Sequence, residues 1–196
     1  RVADFIDGTF VVAMGDVLVD LVVRPLIVFH RRKKSVATIA LTEVEDPTEY
    51  GIVGLDKGGR IQRFKEKPSR EEVFSNLVNA GIYVLEPEVL DLIPDDRPYD
   101  FSKDVFPAIL AKGLPLYGMK IEGVWVDIGR PKDLVRASLE VLRREGKAQR
   151  LLGIDPDIFD SERPVDSVEY AAGAALVLFT AGLFEIRPDG SVAAFL

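Results

Sequence analysis

Several short stretches pair an acidic or basic residue with a glycine or proline, a pattern that could handle phosphate or sugar. Gly15-Asp16 follows the β-rich run Thr9–Met14, and a carboxylate at such a strand end is a reasonable ligand for Mg²⁺. Trp125-Val126-Asp127-Ile128-Gly129, then Arg130-Pro131, delivers a second carboxylate to a strand end. Two carboxylates on one Mg²⁺ would neutralise phosphate charge in phosphoryl or nucleotidyl transfer. Glu66-Lys67-Pro68 closes a hairpin strand: Lys67 could bind phosphate as a point charge, and Glu66 could accept from sugar hydroxyls. Tyr50-Gly51 allows a backbone to approach a ligand closely. Asn79-Ala80-Gly81 is small and polar at the start of a strand. Each of these also suits an ordinary turn, helix cap or strand end, and the single tryptophan also suits a core.

The elements that would position them are those of an α/β fold with an antiparallel annex. Thr9–Met14 is expected to be a strand buried on both faces. A helix is expected over Leu21–Lys34, with Pro25 in its first turn. The basic run Arg31–Lys34 suits a solvated helix end better than a phosphate or nucleic-acid patch, and His30 in the same turn is expected at the surface. Ser35–Val44 is a strand. A hairpin spans residues 51–67 around Asp56-Lys57-Gly58-Gly59, and a loop with a short helix covers Pro68–Val78. Asn79–Pro87 is a strand, Glu88–Leu92 a short helix, and Phe101–Lys112 a helix capped by Ser102 and stopped by Gly113. Pro115–Ile121 and Val124–Val126 are strands, and Pro131–Arg144 is an amphipathic helix. Residues 153–170 read as loop, 171–184 as a buried strand or helix, and 183–196 as a hairpin about Pro188-Asp189-Gly190-Ser191.

Composition narrows the chemistry. The chain has 196 residues, a net charge of −7, 47% hydrophobic and 29% charged residues, no cysteine and one histidine. That excludes disorder, disulfide frameworks, Cys–zinc sites and thiol nucleophiles, and disfavours a Ser–His hydrolase. The acidic balance disfavours nucleic acid as a partner. No apolar stretch has the length of a signal sequence or membrane span, so a cytoplasmic location without membrane contact is the expectation.

The order of the motifs is more specific than any one of them. Gly-Asp, Glu-Tyr-Gly-Ile-Val, Phe-Lys-Glu-Lys-Pro, Asn-Ala-Gly-Ile-Tyr-Val and Trp-Val-Asp-Ile-Gly-Arg-Pro resemble the sugar-1-phosphate nucleotidylyltransferase family, the NDP-sugar pyrophosphorylases. The resemblance covers about residues 5–145. It looks most like the mannose-1-phosphate guanylyltransferase and glucose-1-phosphate nucleotidylyltransferase branches. It implies a Rossmann-like mixed sheet of the nucleotide-diphospho-sugar transferase type, with an antiparallel annex. The expected division is a sugar-binding and metal-binding part over 1–145 and a C-terminal annex over 146–196. It also implies that Asp16 and Asp127 bind Mg²⁺, that Glu66 binds sugar hydroxyls and Lys67 the sugar phosphate, that Gly51 lines the sugar pocket, and that Asn79 and Gly81 close it. Asp16, Lys67 and Asp127 would then be the catalytic set, with NTP and a hexose 1-phosphate as partners. The attacking phosphate is already an anion, which explains why neither cysteine nor histidine is needed.

The chain departs from the family pattern in lacking a Gly-x-Gly-Thr-Arg loop, which in the family wraps the NTP phosphates. Ala174–Pro188 does not supply it by permutation, and hexapeptide repeats are missing from 146–196. The expectation is therefore a domain whose N-terminal part is missing, inactive alone and catalytic in a full-length form. The alternative is a truncated or degenerate sugar-phosphate-binding or regulatory subunit. A glycosyltransferase is disfavoured, with no Asp-x-Asp signature in a suitable place. An incomplete sheet would expose an edge, so homo-oligomer formation stays open.

Overall fold

The computed structural model describes residues 6–94, 96–130, 133–134, 136–138 and 140, and the backbone of 165–171, 174–179, 182–186 and 192–195. The chain divides into two compact units, Arg1–Trp125 and Val126–Leu196.

The first unit is built on a mixed sheet. Its strands are β1 (Phe10–Ala13), β3 (Ala37–Glu43), β4 (Gly51–Leu55), β5 (Ile61–Glu66), β6 (Leu77–Leu85) and β7 (Leu116–Lys120). The order is β5-β4-β6-β3-β7, with β1 also paired to β6. The β3–β7 pair is parallel and the rest are antiparallel. β2 (Val17–Val19) is a further short strand of this unit, and β8 (Trp125–Asp127) starts at its last residue.

Strand periodicity separates two cores. Ile39, Leu41, Tyr83 and Leu85 point to one face, where they meet Phe106 and Ile109 of helix α2 (Phe106–Ala111). Ala40, Ala80, Ile82 and Val84 point to the other, against Leu26 of helix α1 (Val23–Lys33). Both central strands are therefore apolar on both sides. The expected hairpin forms as β4 and β5, and Arg70–Glu72 supplies the short helical turn in the loop after it. Pro87–Leu92 is a 3₁₀ segment.

Three features of the first unit differ from expectation. β1 is not buried on both faces: Phe10 and Val12 pack on the core, whereas Val11 is 42% exposed and Ala13 is exposed as well. Its apolar run reflects one packed face rather than two. The segment before α2 does not continue the α-helix. Phe101–Val105 is a π-helical turn, and its cap is Asp100, whose carboxylate accepts from the Ser102 and Lys103 amides. Ser102 is thereby released for another role.

The third correction concerns His30. It is fully buried, because it lies one helical turn beyond Leu26 on the core stripe of α1, while Arg31, Arg32 and Lys34 around it stay exposed. Its Nδ1 pairs with Thr38 Oγ1 at 2.8 Å and its Nε2 with Glu86 Oε1 at 2.9 Å. Thr9 Oγ1 also donates to Glu86 Oε1. Burial opposes ionisation of Glu86, but the His30 and Thr9 hydrogen bonds and the nearby Arg31 charge outweigh it and hold the carboxyl below its ordinary range. The network ties α1 to β3 and to the segments flanking β1 and β6. His30→Ala is expected to cost about 2–4 kcal/mol, read from the urea midpoint, by opening a cavity and stranding Thr38.

In the second unit, β9 (Val165–Ala171), β10 (Ala174–Phe179), β11 (Gly182–Ile186) and β12 (Val192–Phe195) form an antiparallel meander. The expected hairpin near the end is β11–β12. Of residues 171–184, the described ones (171, 174–179 and 182–184) are strand rather than helix, and 165–170, expected as loop, are strand. Val165 and Val168 lie three apart, so this segment lacks the period-2 apolar alternation by which a strand is read. Residues 133–134, 136–138 and 140 are helical, and the remainder of the expected helix to Arg144 lies outside the described residues, as do 153–164.

Candidate active site

The site residues of the first unit gather around β6. Gly51 opens β4 and faces Glu66, the last residue of β5, across the ladder. A Cβ on Gly51 would lie 2.7 Å from Glu66 Oε2 and 2.7 Å from the Phe64 ring. The Phe64 ring is itself packed on Phe106 at 5.6 Å, so there is little room to yield. Gly51 is thus a glycine because the carboxylate occupies the space of a side chain.

Glu66 is only partly exposed, and its Oε2 is buried with no hydrogen-bond partner among the described residues. Burial pushes its carboxyl above the usual range, and the Asp100 charge adds to this, against Lys67, Lys103 and the Ser102 hydroxyl. The folded chain therefore retains a proton that the unfolded chain has already released. Stability must fall as pH rises from the ordinary glutamate range through the raised value, and the cost persists above it. Glu66→Gln should then unfold at higher urea than the unaltered protein at pH 7, with the gap closing below the ordinary glutamate range. An equal midpoint at both pH values would refute this electrostatic account. A buried acceptor with no partner among the described residues keeps its hydrogen-bonding capacity unspent.

Lys67 follows with φ of 42°, left-handed for a residue with a side chain, and precedes a buried proline. Its amide donates to Tyr50 O at 3.0 Å, which locks the turn at the base of the hairpin, and its side chain is exposed. Asn79 lies on β6. Its Oδ1 accepts from the Gly81 amide at 2.9 Å, and its Nδ2 donates to Tyr83 Oη at 3.0 Å and Ser102 Oγ at 3.1 Å. Tyr83 is buried, and desolvation pushes its phenol up to about 12.

Gly81 has φ of 77°, and a Cβ there would press on Met14 at 3.1 Å. Its carbonyl accepts from the Met14 amide at 2.9 Å, so β6 anchors the β1–β2 turn that carries Gly15 and the exposed Asp16. Trp125 belongs to the same cluster. Its indole N–H donates to Ala80 O at 2.9 Å, and its ring meets Tyr50 edge-on at 5.3 Å.

The structure therefore brings Gly51 and Glu66, at paired ends of β4 and β5, Lys67 just after β5, and Asn79 and Gly81, inside β6, onto neighbouring strands of one sheet. Asp127 ends β8 in the second unit, where its Oδ1 accepts from the Gly129 amide at 2.9 Å. A Cβ on Gly129 would stand 3.2 Å from that oxygen, so the glycine keeps the turn tight. Among the described residues no group of three or more histidine or acidic side chains could hold a metal. Asp16 and Asp127 each offer hard carboxylate oxygens, Asp16 exposed and Asp127 partly so, a donor chemistry that suits a cation keeping several waters.

Sequence reasoning missed the contacts of Asn79 with Tyr83 and Ser102. Tyr83 could have been found, since positions 79, 81 and 83 share one face of a strand. Ser102 is 23 residues from Asn79, and no local pattern reports that contact.

The mixed sheet with helices on its faces is the fold of the nucleotide-diphospho-sugar transferases. A crystal structure of apo UDP-glucose pyrophosphorylase superposes with a TM-score of 0.60 at 22% identity, over 73% of this chain and 57% of that one. A family model described as nucleotidyl transferase matches residues 1–144, and the chain belongs to that family. It is 43% identical over 153 residues to a UTP–glucose-1-phosphate uridylyltransferase of Synechocystis, covering 77% of this chain and 39% of that protein. It is 44% identical over 126 residues to a mannose-1-phosphate guanylyltransferase catalytic subunit beta of Drosophila pseudoobscura, covering 64% of this chain and 33% of that protein. The chain thus spans between a third and two fifths of the length of these curated relatives. No helix among the described residues is long and apolar enough to cross a membrane.

Proposed function

We propose that the chain forms part of an enzyme that makes NDP-sugar from an NTP and a hexose 1-phosphate. The observation that supports this most is the buried, unpartnered Glu66 Oε2 pressed against Gly51, with Lys67 next in sequence. An orphaned acceptor beside a cation suits a ligand with hydroxyls at one end and a phosphate at the other.

In this reading Glu66 accepts from sugar hydroxyls, Gly51 gives the ring a close backbone approach, and Lys67 holds the sugar phosphate. A phosphate oxygen of the hexose 1-phosphate attacks the α-phosphorus in line. The bond to the bridging oxygen breaks, and pyrophosphate leaves with the electron pair. The nucleophile is already ionised, so the protein's task is to orient it and to offset charge. Asp16 and Asp127 are proposed as Mg²⁺ ligands, the cation supplying charge neutralisation at the phosphates when bound. Residues 1–145 carry these functions and 146–196 form the annex. A cytoplasmic setting belongs to the same proposal.

The test is pyrophosphate release by the full-length protein across a panel of NTPs and hexose 1-phosphates. Mg²⁺-dependent release with at least one pair is expected. No release with any pair, at concentrations where sugar phosphate binds, would instead support the non-catalytic subunit.

A further inference from the structure

β6 is not a regular strand. Its register against β3 pairs Tyr83 with Ile39 and Asn79 with Leu41, so Ala80, Gly81 and Ile82 stand opposite Ala40 alone. Gly81, at the centre of this bulge, has φ of 77°. The Asn79 side chain closes the bulge. Its Oδ1 accepts from the Gly81 amide at 2.9 Å, two residues on, in the manner of an Asx turn. An N–H cannot donate to an NH₂ group, so this bond fixes which end of the carboxamide is the oxygen. The NH₂ end then donates to Tyr83 Oη at 3.0 Å and Ser102 Oγ at 3.1 Å, and both of its hydrogens are used inside the protein.

Those two hydroxyls come from firm supports. Tyr83 is buried and meets the Phe106 ring edge-on at 5.0 Å. Ser102 stands in the turn that Asp100 caps through the Ser102 and Lys103 amides. The bulge in turn supports the connection from β1 to β2. The Met14 amide donates to Gly81 O at 2.9 Å. A Cβ on Gly81 would stand 3.1 Å from Met14 Cγ and 3.5 Å from Val17 Cγ1. Met14 and Val17 flank the exposed Gly15-Asp16, so both ends of the acidic turn rest on one glycine.

We propose that Asn79 is a positioning residue for Asp16: its carboxamide holds the Gly81 bulge, and the bulge sets the turn that presents the Asp16 carboxylate. Asn79 then acts through the backbone rather than as a direct sugar ligand, with both amide hydrogens and one lone pair of its oxygen already engaged. The functional meaning of this device rests on the Mg²⁺ role proposed above for Asp16.

The experiment is amide hydrogen exchange, followed by ¹H–¹⁵N NMR on the purified protein. In Asn79→Ala the Met14 amide is expected to exchange about tenfold faster, while the amides of β3, paired on both sides, keep their protection. Asn79→Leu, close to asparagine in shape but without an acceptor, is expected to do the same and serves if Asn79→Ala does not fold. Asn79→Ser keeps an oxygen that can accept weakly from Gly81 and should restore part of the protection. An unmoved Met14 amide in Asn79→Ala or Asn79→Leu overturns the proposal. So does faster exchange spread evenly over β3, which marks general loosening.

Two ligands are titrated on the same samples: Mn²⁺, read from the EPR signal of the free ion and standing in for Mg²⁺, and hexose 1-phosphate. Asn79→Ala should weaken Mn²⁺ about tenfold and leave hexose 1-phosphate within about twofold. Faster Met14 exchange in the variants, with no Mn²⁺ binding by the unaltered protein, supports the positioning and sinks the metal role of Asp16. An unmoved Met14 amide with hexose 1-phosphate binding weakened about tenfold overturns the proposal and makes Asn79 a direct ligand of the sugar.

Discussion

Asp127→Asn in the full-length protein should lower turnover about a hundredfold or more, and Asp16→Asn should do the same. Asparagine keeps the size of the side chain and one oxygen, so the Gly129 amide retains its acceptor in Asp127→Asn. What is lost is negative charge. A site that binds a hard dication by carboxylate oxygens cannot keep its affinity without that charge. Two readouts separate this from damage to the fold. The melting temperature should move little, because Asp16 is exposed and Asp127 is partly exposed. The Mg²⁺ concentration for half-maximal rate should rise in both variants. Unchanged turnover in either variant sinks the metal assignment for that residue.

Lys67 offers the second large effect, with opposite signs on binding and stability. Lys67→Gly should raise KM for hexose 1-phosphate about 10–100-fold, the size expected for losing a charged hydrogen bond to phosphate. The same substitution should leave the melting temperature unchanged or raise it. Position 67 has φ of 42° ahead of Pro68, a conformation that costs a side-chain-bearing residue about 1 kcal/mol and glycine little. Lys67→Ala separates the contributions. It removes the charge and keeps the strain, so KM should rise as in the glycine variant without the gain in stability. If saturation by sugar phosphate is unaffected in both, Lys67 does not contact the phosphate. A rise in KM with that gain in stability would make position 67 an exchange of stability for function.

His30 shows where local reading of the chain fails. Four basic residues follow it, and the eye assigns the whole turn to solvent. The spacing from Leu26 puts it on the buried stripe, and the partners that make burial tolerable, Thr38 and Glu86, come from other elements. β1 fails in the opposite direction. Its apolar run predicts two packed faces, but only alternate residues are covered by the described structure.

The sequence by itself determined the sheet's central strands, the β4–β5 hairpin, the two helices of the first unit and the identity of the site motifs. These depend on periodicity, turn chemistry and glycine, all of which are local. Only the tertiary structure decided that Glu66 Oε2 is buried with no hydrogen-bond partner among the described residues, that Gly51 yields its side-chain space to it, and that Asn79 spends its amide on Tyr83 and Ser102. Those facts depend on which strand lies beside which. Burial and hydrogen bonding join residues far apart in the chain, and their energies follow distance in space rather than spacing in sequence.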